Sequence, residues 1–486
     1  MTLPRRGSMI FDNKNNIVVS EEESAMLGIV GIIVSLGLLI FLAYRGWNVI
    51  LMAPICAGVA LLFSWGEAPL MASYTQTFMP ALGNYLAKFF PLFMLGAIFG
   101  KLMDDSGCAR SIAHQIVQWT GKKRAILAIV LACAILTYGG VSLFVVAFSV
   151  YPIAISMFRE ADVPKRLIPA AIGLGSFTFT MTALPGTPAI QNAIPMPFFG
   201  TTPFAAPGLG IIAAIFMFAF GQIWLQRRAA AANVRGEGYG EHKEEPVVKI
   251  EGAMPNFWVA LLPIILVISL NYIFTTYVIP AMDTSFLATP KFRNTPLSAV
   301  AGLWSIIMAM VVACIVVAWL NRRHFVSMMD TLNKGTFGSF LPIMNVASEV
   351  AYGAVIASLA AFVMVREALQ GLFGDPVISL FVVVNVLAGM TGSASGGLSL
   401  ALGALGEHYA QAAAAANISP QIMHRVAAMA SGGMDILPHN GAVITLLSIC
   451  GLNHRQSYFD LFIVGSIGTT LAGILVIILH AMFGTF

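Results

Sequence analysis

Thr391-Gly392-Ser393-Ala394-Ser395-Gly396-Gly397 and Asp435-Ile436-Leu437-Pro438-His439-Asn440-Gly441 interrupt sequence that is apolar enough to lie in a bilayer. Unwound backbone survives at that depth only where it is buried in protein or lines a cavity. Fainter counterparts stand in the first half, at Thr137-Tyr138-Gly139-Gly140 and Pro185-Gly186-Thr187-Pro188. Four such interruptions converging on one place make a binding site.

Composition sets the class. The 486 residues are 58% hydrophobic and 10% charged, with a mean hydropathy of +0.84. A soluble domain carries about 25% charged residues, so the expected fold is an all-α polytopic membrane protein. The net charge of +4 is spread over short loops and shows no nucleic-acid footprint. Cys56, Cys108, Cys133, Cys314 and Cys450 are scattered, with no disulfide or metal spacing, and nothing calls for a cofactor. Residues 1–24 are polar, with Glu21-Glu22-Glu23 ahead of the first apolar run, which is not the charge pattern of a secretory signal. The residues ahead of Met9 read as an expression remnant or a misassigned start.

About 20 apolar residues span a bilayer core. Ala25–Tyr44, Trp47–Gly66 and Asn84–Met103 qualify, and Ile112, Ile116 and Trp119 mark a short amphipathic surface helix within Asp104–Arg124. Ala125–Phe158 is uncharged and flanked by basic residues at both ends, so it enters and returns on the same side. Its arms around Tyr138-Gly139-Gly140 reach only ~20–24 Å, which suits a re-entrant hairpin better than two spans. A broken span from Leu167, unwound at Pro185–Pro188, and a span at Ala206–Leu225 complete the first half. The second half repeats the plan: spans at Asn256–Ile279, Leu297–Leu320 and Phe340–Val365, a hairpin at Val377–Ala416, a broken span at Arg425–Gly451, and a last span at Ser457–Phe483.

The repeat is also visible in residues. Gly139-Gly140-Val141-Ser142-Leu143 returns as Gly396-Gly397-Leu398-Ser399-Leu400, and Met181-x-x-Leu184-Pro185 as Met434-x-x-Leu437-Pro438. Five crossings and one hairpin per half invert the second copy. The expected division is a polar segment 1–24, a first inverted repeat 25–226, a cytoplasmic linker 227–254 and a second inverted repeat 255–486. With both termini outside, most of the 26 Lys and Arg fall on the cytoplasmic side, in keeping with the positive-inside rule.

Inverted halves with paired interrupted helices point to a secondary transporter's binding site. Unwound tips expose backbone N–H groups and helix N-termini, which favour an anion. The candidate substrate-binding set is Thr137, Tyr138, Gly139, Gly140, Ser142, Pro185, Gly186, Thr187, Gln191, Asn192, Thr391, Gly392, Ser393, Ser395, Gly396, His439, Asn440 and Gly441. No Arg or Lys adjoins any of the breaks in sequence, so a monocarboxylate fits better than a citrate-like dianion. The bland alternatives are close packing of small residues for Gly139-Gly140 and a plain kink for Pro185–Pro188. Intramembrane ionisable groups are functional by default. Asp435 and His439, four apart, are the expected proton carriers; the bland reading is a buried pair that fixes the break. Glu349, mid-span where the first half has Leu92, either carries a proton or hydrogen-bonds to the hairpin.

Gly389-Met390-Thr391-Gly392-Ser393-Ala394, Asp435–Gly441 and Leu184-Pro185-Gly186-Thr187-Pro188-Ala189-Ile190-Gln191-Asn192 carry a family likeness. From Met26 onward the chain resembles the gluconate permease-like family of proton-coupled carboxylate symporters, within the ion transporter superfamily. Gluconate permeases proper have a Pro-Pro-His-Pro-Gly-Pro-like first break. Leu184-Pro185-Gly186-Thr187-Pro188 departs from it and looks more like the 3-hydroxybutyrate permease branch. The resemblance implies an inner-membrane symporter with two hairpin tips and two breaks around one carboxylate, often in a homodimer with an elevator-type transport domain. The expectation is therefore proton-coupled symport of a small hydroxy or keto monocarboxylate, 3-hydroxybutyrate first. Gluconate or another sugar acid, sodium coupling, a passive channel and, remotely, an intramembrane hydrolase are the rivals.

Overall fold

The computed structural model describes residues 21–45, 47–64, 69–121, 124–141, 143–242, 254–362, 364, 374–438 and 440–486. Among them there is no strand, and six helices are long and apolar enough to cross a membrane. The chain is an all-α polytopic membrane protein.

Helices α1 (Glu21–Tyr44) and α2 (Val49–Phe63) open the chain and pack on each other. Helix α3 runs from Leu70 to Asp105, starting well before the expected span at Asn84 and passing through a π-turn at Tyr74–Phe78. Helix α4 (Cys108–Thr120) is the expected amphipathic segment: Ile112 and Ile116 are buried, while Trp119 is exposed and meets the edge of Phe257.

The first hairpin is α5 (Ala125–Tyr138) and α6 (Leu143–Glu160), of 14 and 18 residues. At 1.5 Å per residue they reach about 21 and 27 Å, short of a ~30 Å core for the first arm. The turn between them uses Gly140 at φ 93°, a backbone conformation L side chains rarely adopt. The broken span follows as α7 (Ile168–Ser176) and α8 (Phe179–Thr182), then α9 (Ile190–Ala193) and α10 (Met196–Phe199), with Pro185 and Pro188 in the gap. Proline lacks the N–H that would continue a helix. Helix α11 (Pro207–Val234) closes this half and carries helix beyond Arg227, into the segment expected to be linker.

The same order recurs in α12 (Phe257–Ala281), α13 (Ala301–Leu320) and α14 (Met328–Ala357). The second hairpin is α15 (Pro376–Thr391) with α16 (Ala394–Ala415). The second broken span is α17 (Pro420–Ser431) with α18 (Gly441–Ile449), and α19 (His454–Phe483) ends the chain. The second turn is tighter than the glycine-rich run suggests, since only Gly392 and Ser393 separate the helices. Gly392 caps α15 at φ 63°, and the Ser393 hydroxyl accepts from the Gly396 N–H at 3.0 Å to start α16.

Helix α3 packs against α14, and α11 against α19. The first arm of each hairpin rests on the first piece of the following broken helix, α5 on α7 and α15 on α17. One apolar core runs through both hairpins and both breaks, and a second joins α1 and α2 to the end of α14. In the second, the Ser35 hydroxyl donates to the Cys56 carbonyl at 2.7 Å and meets the Tyr352 hydroxyl at 3.0 Å. Near the start of α19, Asp460 is buried between Arg166 (2.8 Å) and Arg228 (2.7 Å), and Arg166 also meets Glu237. That cluster ties the start of the first broken helix to the last helix.

Candidate functional site

A cavity of about 300 Å³ opens where the first hairpin turn meets the first break. Thr137 and Gly140 line it from the turn, Pro188 and Gln191 from the break, Gly96 from α3 and Ser339 from α14. Ser395, in the first turn of α16, reaches it from the second hairpin. The 22-residue α16 therefore presents its positive dipole end at the wall. No lining residue is charged, and the rest of the wall is largely apolar, including Leu92, Phe93, Met181, Ile190 and Met310. Among the described residues the buried Thr137 Oγ1 has no hydrogen-bond partner. An unpaired buried hydroxyl at a cavity wall is a group available to a ligand. Ser176, the last residue of α7, is a further lining hydroxyl outside the four glycine- and proline-marked interruptions.

The other candidates divide by what holds them. The Tyr138 hydroxyl donates to the Pro185 carbonyl at 2.8 Å, pinning the hairpin turn to the break. Gly139 packs against Ile264, and a Cβ there would meet that side chain at 2.6 Å, so its smallness serves packing. Gly186, at φ 80°, donates to the Pro203 carbonyl and accepts from Asn271. Thr187 is fully buried, its Oγ1 accepting from the Ala189 N–H at 3.3 Å. Gly392 and Ser393 are caps, and the Thr391 hydroxyl donates back to the Leu387 carbonyl at 2.9 Å. Ser142 and His439 lie outside the described residues.

Asn192 sits in the wall of the break, off the cavity. Its Nδ2 donates to the carbonyls of Thr187 and Pro203, both at 3.0 Å. Its Oδ1 faces Arg425 Nη1 and His424 Nε2, both at 3.1 Å. With that oxygen receiving two bonds, His424 carries its proton on Nε2 and accepts from the Thr201 hydroxyl at Nδ1, 2.6 Å away. Arg425 is completely buried; it also donates to the Ala205 carbonyl at 2.7 Å and to the Thr182 carbonyl at 3.2 Å. No basic residue adjoins the first break in sequence, yet α17 delivers a guanidinium to it from the other half. Its donors are spent on carbonyls and an amide, so it fastens the break.

The second break packs elsewhere. Asp435, Asn440 and Gly441 do not line the cavity; Met434 and Leu437 lie against Gly389 at the end of α15. Residues 432–438 and 440 are not helical, so the spacing of Asp435 and His439 gives them no shared helical face. Asn440 caps α18 by accepting from the Ala442 N–H at 2.6 Å and donates to the Asp435 carbonyl at 2.6 Å. A Cβ on Gly441 would meet no atom within 4 Å. Asp435 is 3% exposed, and among the described residues its Oδ1 has no hydrogen-bond partner. Glu349 is equally buried, its Oε2 also without one among the described residues, and the carboxylate abuts Gly396 where a Cβ would stand.

A cavity walled by hairpin turns and a broken helix, within an all-α membrane protein, defines the class as a membrane transporter. The chain belongs to the GntP family permeases, whose family model matches residues 26–483. It is 45% identical over 467 residues to the uncharacterized transporter YxjC of Bacillus subtilis strain 168, covering 93% of this chain and 98% of the relative. Over 218 residues it is 30% identical to an uncharacterized transporter of Haemophilus influenzae, covering 43% and 49%. Over 126 residues it is 31% identical to the high-affinity gluconate transporter of Escherichia coli K12, covering 25% and 28%. The family and these relatives are permeases and transporters, not enzymes.

Proposed function

We propose that the protein is a proton-coupled symporter of a short hydroxy or keto monocarboxylate, 3-hydroxybutyrate first. The carrying observation is the chemistry of the cavity wall: an α16 N-terminus and an unpaired Thr137 hydroxyl in a lining with no charged side chain. Dipoles and hydroxyls hold one negative charge weakly enough to release it, whereas a dianion favours a fixed cation. The apolar remainder of the wall suits an acid with a short hydrocarbon body.

In this reading Ser395 and the α16 N-terminus receive the carboxylate. Thr137 and Gln191 bond the hydroxyl or keto oxygen, and Glu349 and Asp435 are the candidate proton carriers. Each of those two carboxyls is buried, with one oxygen that has no hydrogen-bond partner among the described residues, and ionisable groups inside a membrane are functional by default. The two halves act as inverted repeats in a bacterial inner membrane, with both termini outside, the linker in the cytoplasm and the chain as a homodimer. A second reading, a gluconate symporter, is favoured by the relative from Escherichia coli. A polyol acid asks for more hydrogen-bonding groups than Thr137, Ser176, Gln191, Ser339 and Ser395 supply.

Uptake of labelled acids by proteoliposomes tests the substrate class. Unlabelled 3-hydroxybutyrate should compete strongly and gluconate weakly; the reverse order selects the second reading.

A further inference from the structure

A second cavity, of about 350 Å³, lies beyond the first along the same helices. Three helices line both cavities in turn. On α3 the first cavity meets Leu92 and Gly96 and the second meets Tyr85 and Lys88. On α14 the order is Pro342 and then Ala354; on α16 it is Ser395 and then Ser399 and Gly403. The segment after the first break does the same, with Gln191 in one and Phe198 in the other. Lys88 and Gly96 belong to one continuous helix, and the eight-residue step sets these two lining residues about 12 Å apart along α3. Glu349, packed on Gly396, lies in the partition between them.

The second cavity differs from the first in holding a fixed cation. Lys88 lies midway along α3 and the residue is exposed. Its ammonium stands 5.4 Å from the Phe198 ring centroid and 5.9 Å from that of Phe89, at the wall of the cavity. Among the described residues no carboxylate pairs with it. Beside it the Ser399 hydroxyl donates to the Tyr85 hydroxyl at 3.3 Å, and Asn84 adds an amide.

We propose that this cavity is a second anion station, in series with the first, where the Lys88 ammonium takes the carboxylate of a small organic acid. Placed at one end of the path, a cation raises the local anion concentration and steers entry, while the uncharged first cavity handles release. The inference rests on the proposed carboxylate transport for the ligand's identity; the attraction of anions by Lys88 is testable without it.

The test uses Gly403→Cys in the full chain, reconstituted in phosphatidylcholine vesicles so that no anionic headgroup competes. A Cβ at 403 would meet only Val350 Cγ1, at 3.7 Å, and the described native cysteines are all buried. A sulfonated methanethiosulfonate should modify the introduced thiol at least fivefold faster than its trimethylammonium counterpart. Adding Lys88→Gln should abolish that preference, and adding Lys88→Arg should keep it. 3-Hydroxybutyrate should slow the labelling with Lys88 present and leave it unchanged in the Lys88→Gln variant. Equal rates for the two reagents, or a preference that survives Lys88→Gln, overturns the station. If the preference behaves as expected but only added phosphatidylglycerol protects, the site is a lipid headgroup site and the transport station is overturned. Should neither 3-hydroxybutyrate nor gluconate be taken up by the wild type, the substrate class falls, while the two-reagent comparison still decides whether Lys88 gathers anions.

Discussion

The Glu349 carboxylate on α14 occupies the space that a Cβ would take on Gly396 of α16. At that point the Glu349 side chain fills the space between helix and hairpin, leaving no room for one on residue 396. Gly396→Ala should therefore force α14 and α16 apart and cost about 1–3 kcal/mol, the usual penalty for overfilling a packed site. Removing the obstructing group should relieve it: thermal unfolding in detergent should show Gly396→Ala/Glu349→Ala recovering at least half of the loss. Strictly additive effects would mean the two residues do not share that space.

Arg425 and Asn192 join the two halves at the first break. Arg425→Met should leave the carbonyls of Ala205 and Thr182 without their donor, at about 1–3 kcal/mol for each group left bare, and the Asn192 oxygen with His424 alone. Arg425→Lys should recover little, because a single ammonium cannot reproduce the planar fork. Chemical denaturation of purified protein checks both. A lysine variant within about 0.5 kcal/mol of wild type, the range of ordinary surface substitutions, would show that the fork geometry is unimportant.

Thr137→Val separates binding from folding. The Thr137 hydroxyl has no partner, so its loss should leave the unfolding temperature unchanged or slightly higher. If it bonds the substrate, KM for uptake should rise about fivefold, the equivalent of one ordinary hydrogen bond of ~1 kcal/mol. An unchanged KM removes Thr137 from the site.

The Arg166–Glu237 pair gives a pH signature outside the membrane-spanning segments. Hydrogen bonds from Arg166, and then from Arg235, hold the Glu237 carboxyl below the usual carboxylate range. A lowered folded-state pKa stabilises above the unfolded value and is lost as pH falls through the folded one. The pair is partly exposed, so the contribution should be about 0.2–1 kcal/mol at neutral pH. Melting wild type and Glu237→Gln from pH 7 downward should show a gap that closes below about pH 4, near the ordinary carboxylate value. A gap that widens on acidification reverses the sign and contradicts the pairing.

The hairpins and breaks are legible in the sequence because a bilayer forbids unsatisfied backbone: glycine, proline and hydroxyl residues inside apolar runs leave few alternatives to a turn in protein. Thr137, Gly140, Gln191 and Ser395 stand out in this way, and all four line the first cavity. What escapes is set by contacts distant in sequence. Asn192 reads as a cavity residue until Arg425, 233 positions on, takes its oxygen. The early start of α3 is hidden by the mixed polarity of residues 70–83. The second break resembles the first in sequence, but its Asp435 and Asn440 lie off the cavity, and the Asn440 side chain is spent on capping α18.

Proton coupling is the central claim, and an imposed gradient tests it most directly. Proteoliposomes loaded at about pH 7.5 and diluted into sodium-free buffer at about pH 6 should accumulate labelled 3-hydroxybutyrate above its equilibrium level. A protonophore should abolish the accumulation, and Glu349→Gln or Asp435→Asn should uncouple it. Accumulation that ignores the pH gradient and appears only with an inward sodium gradient would contradict the account.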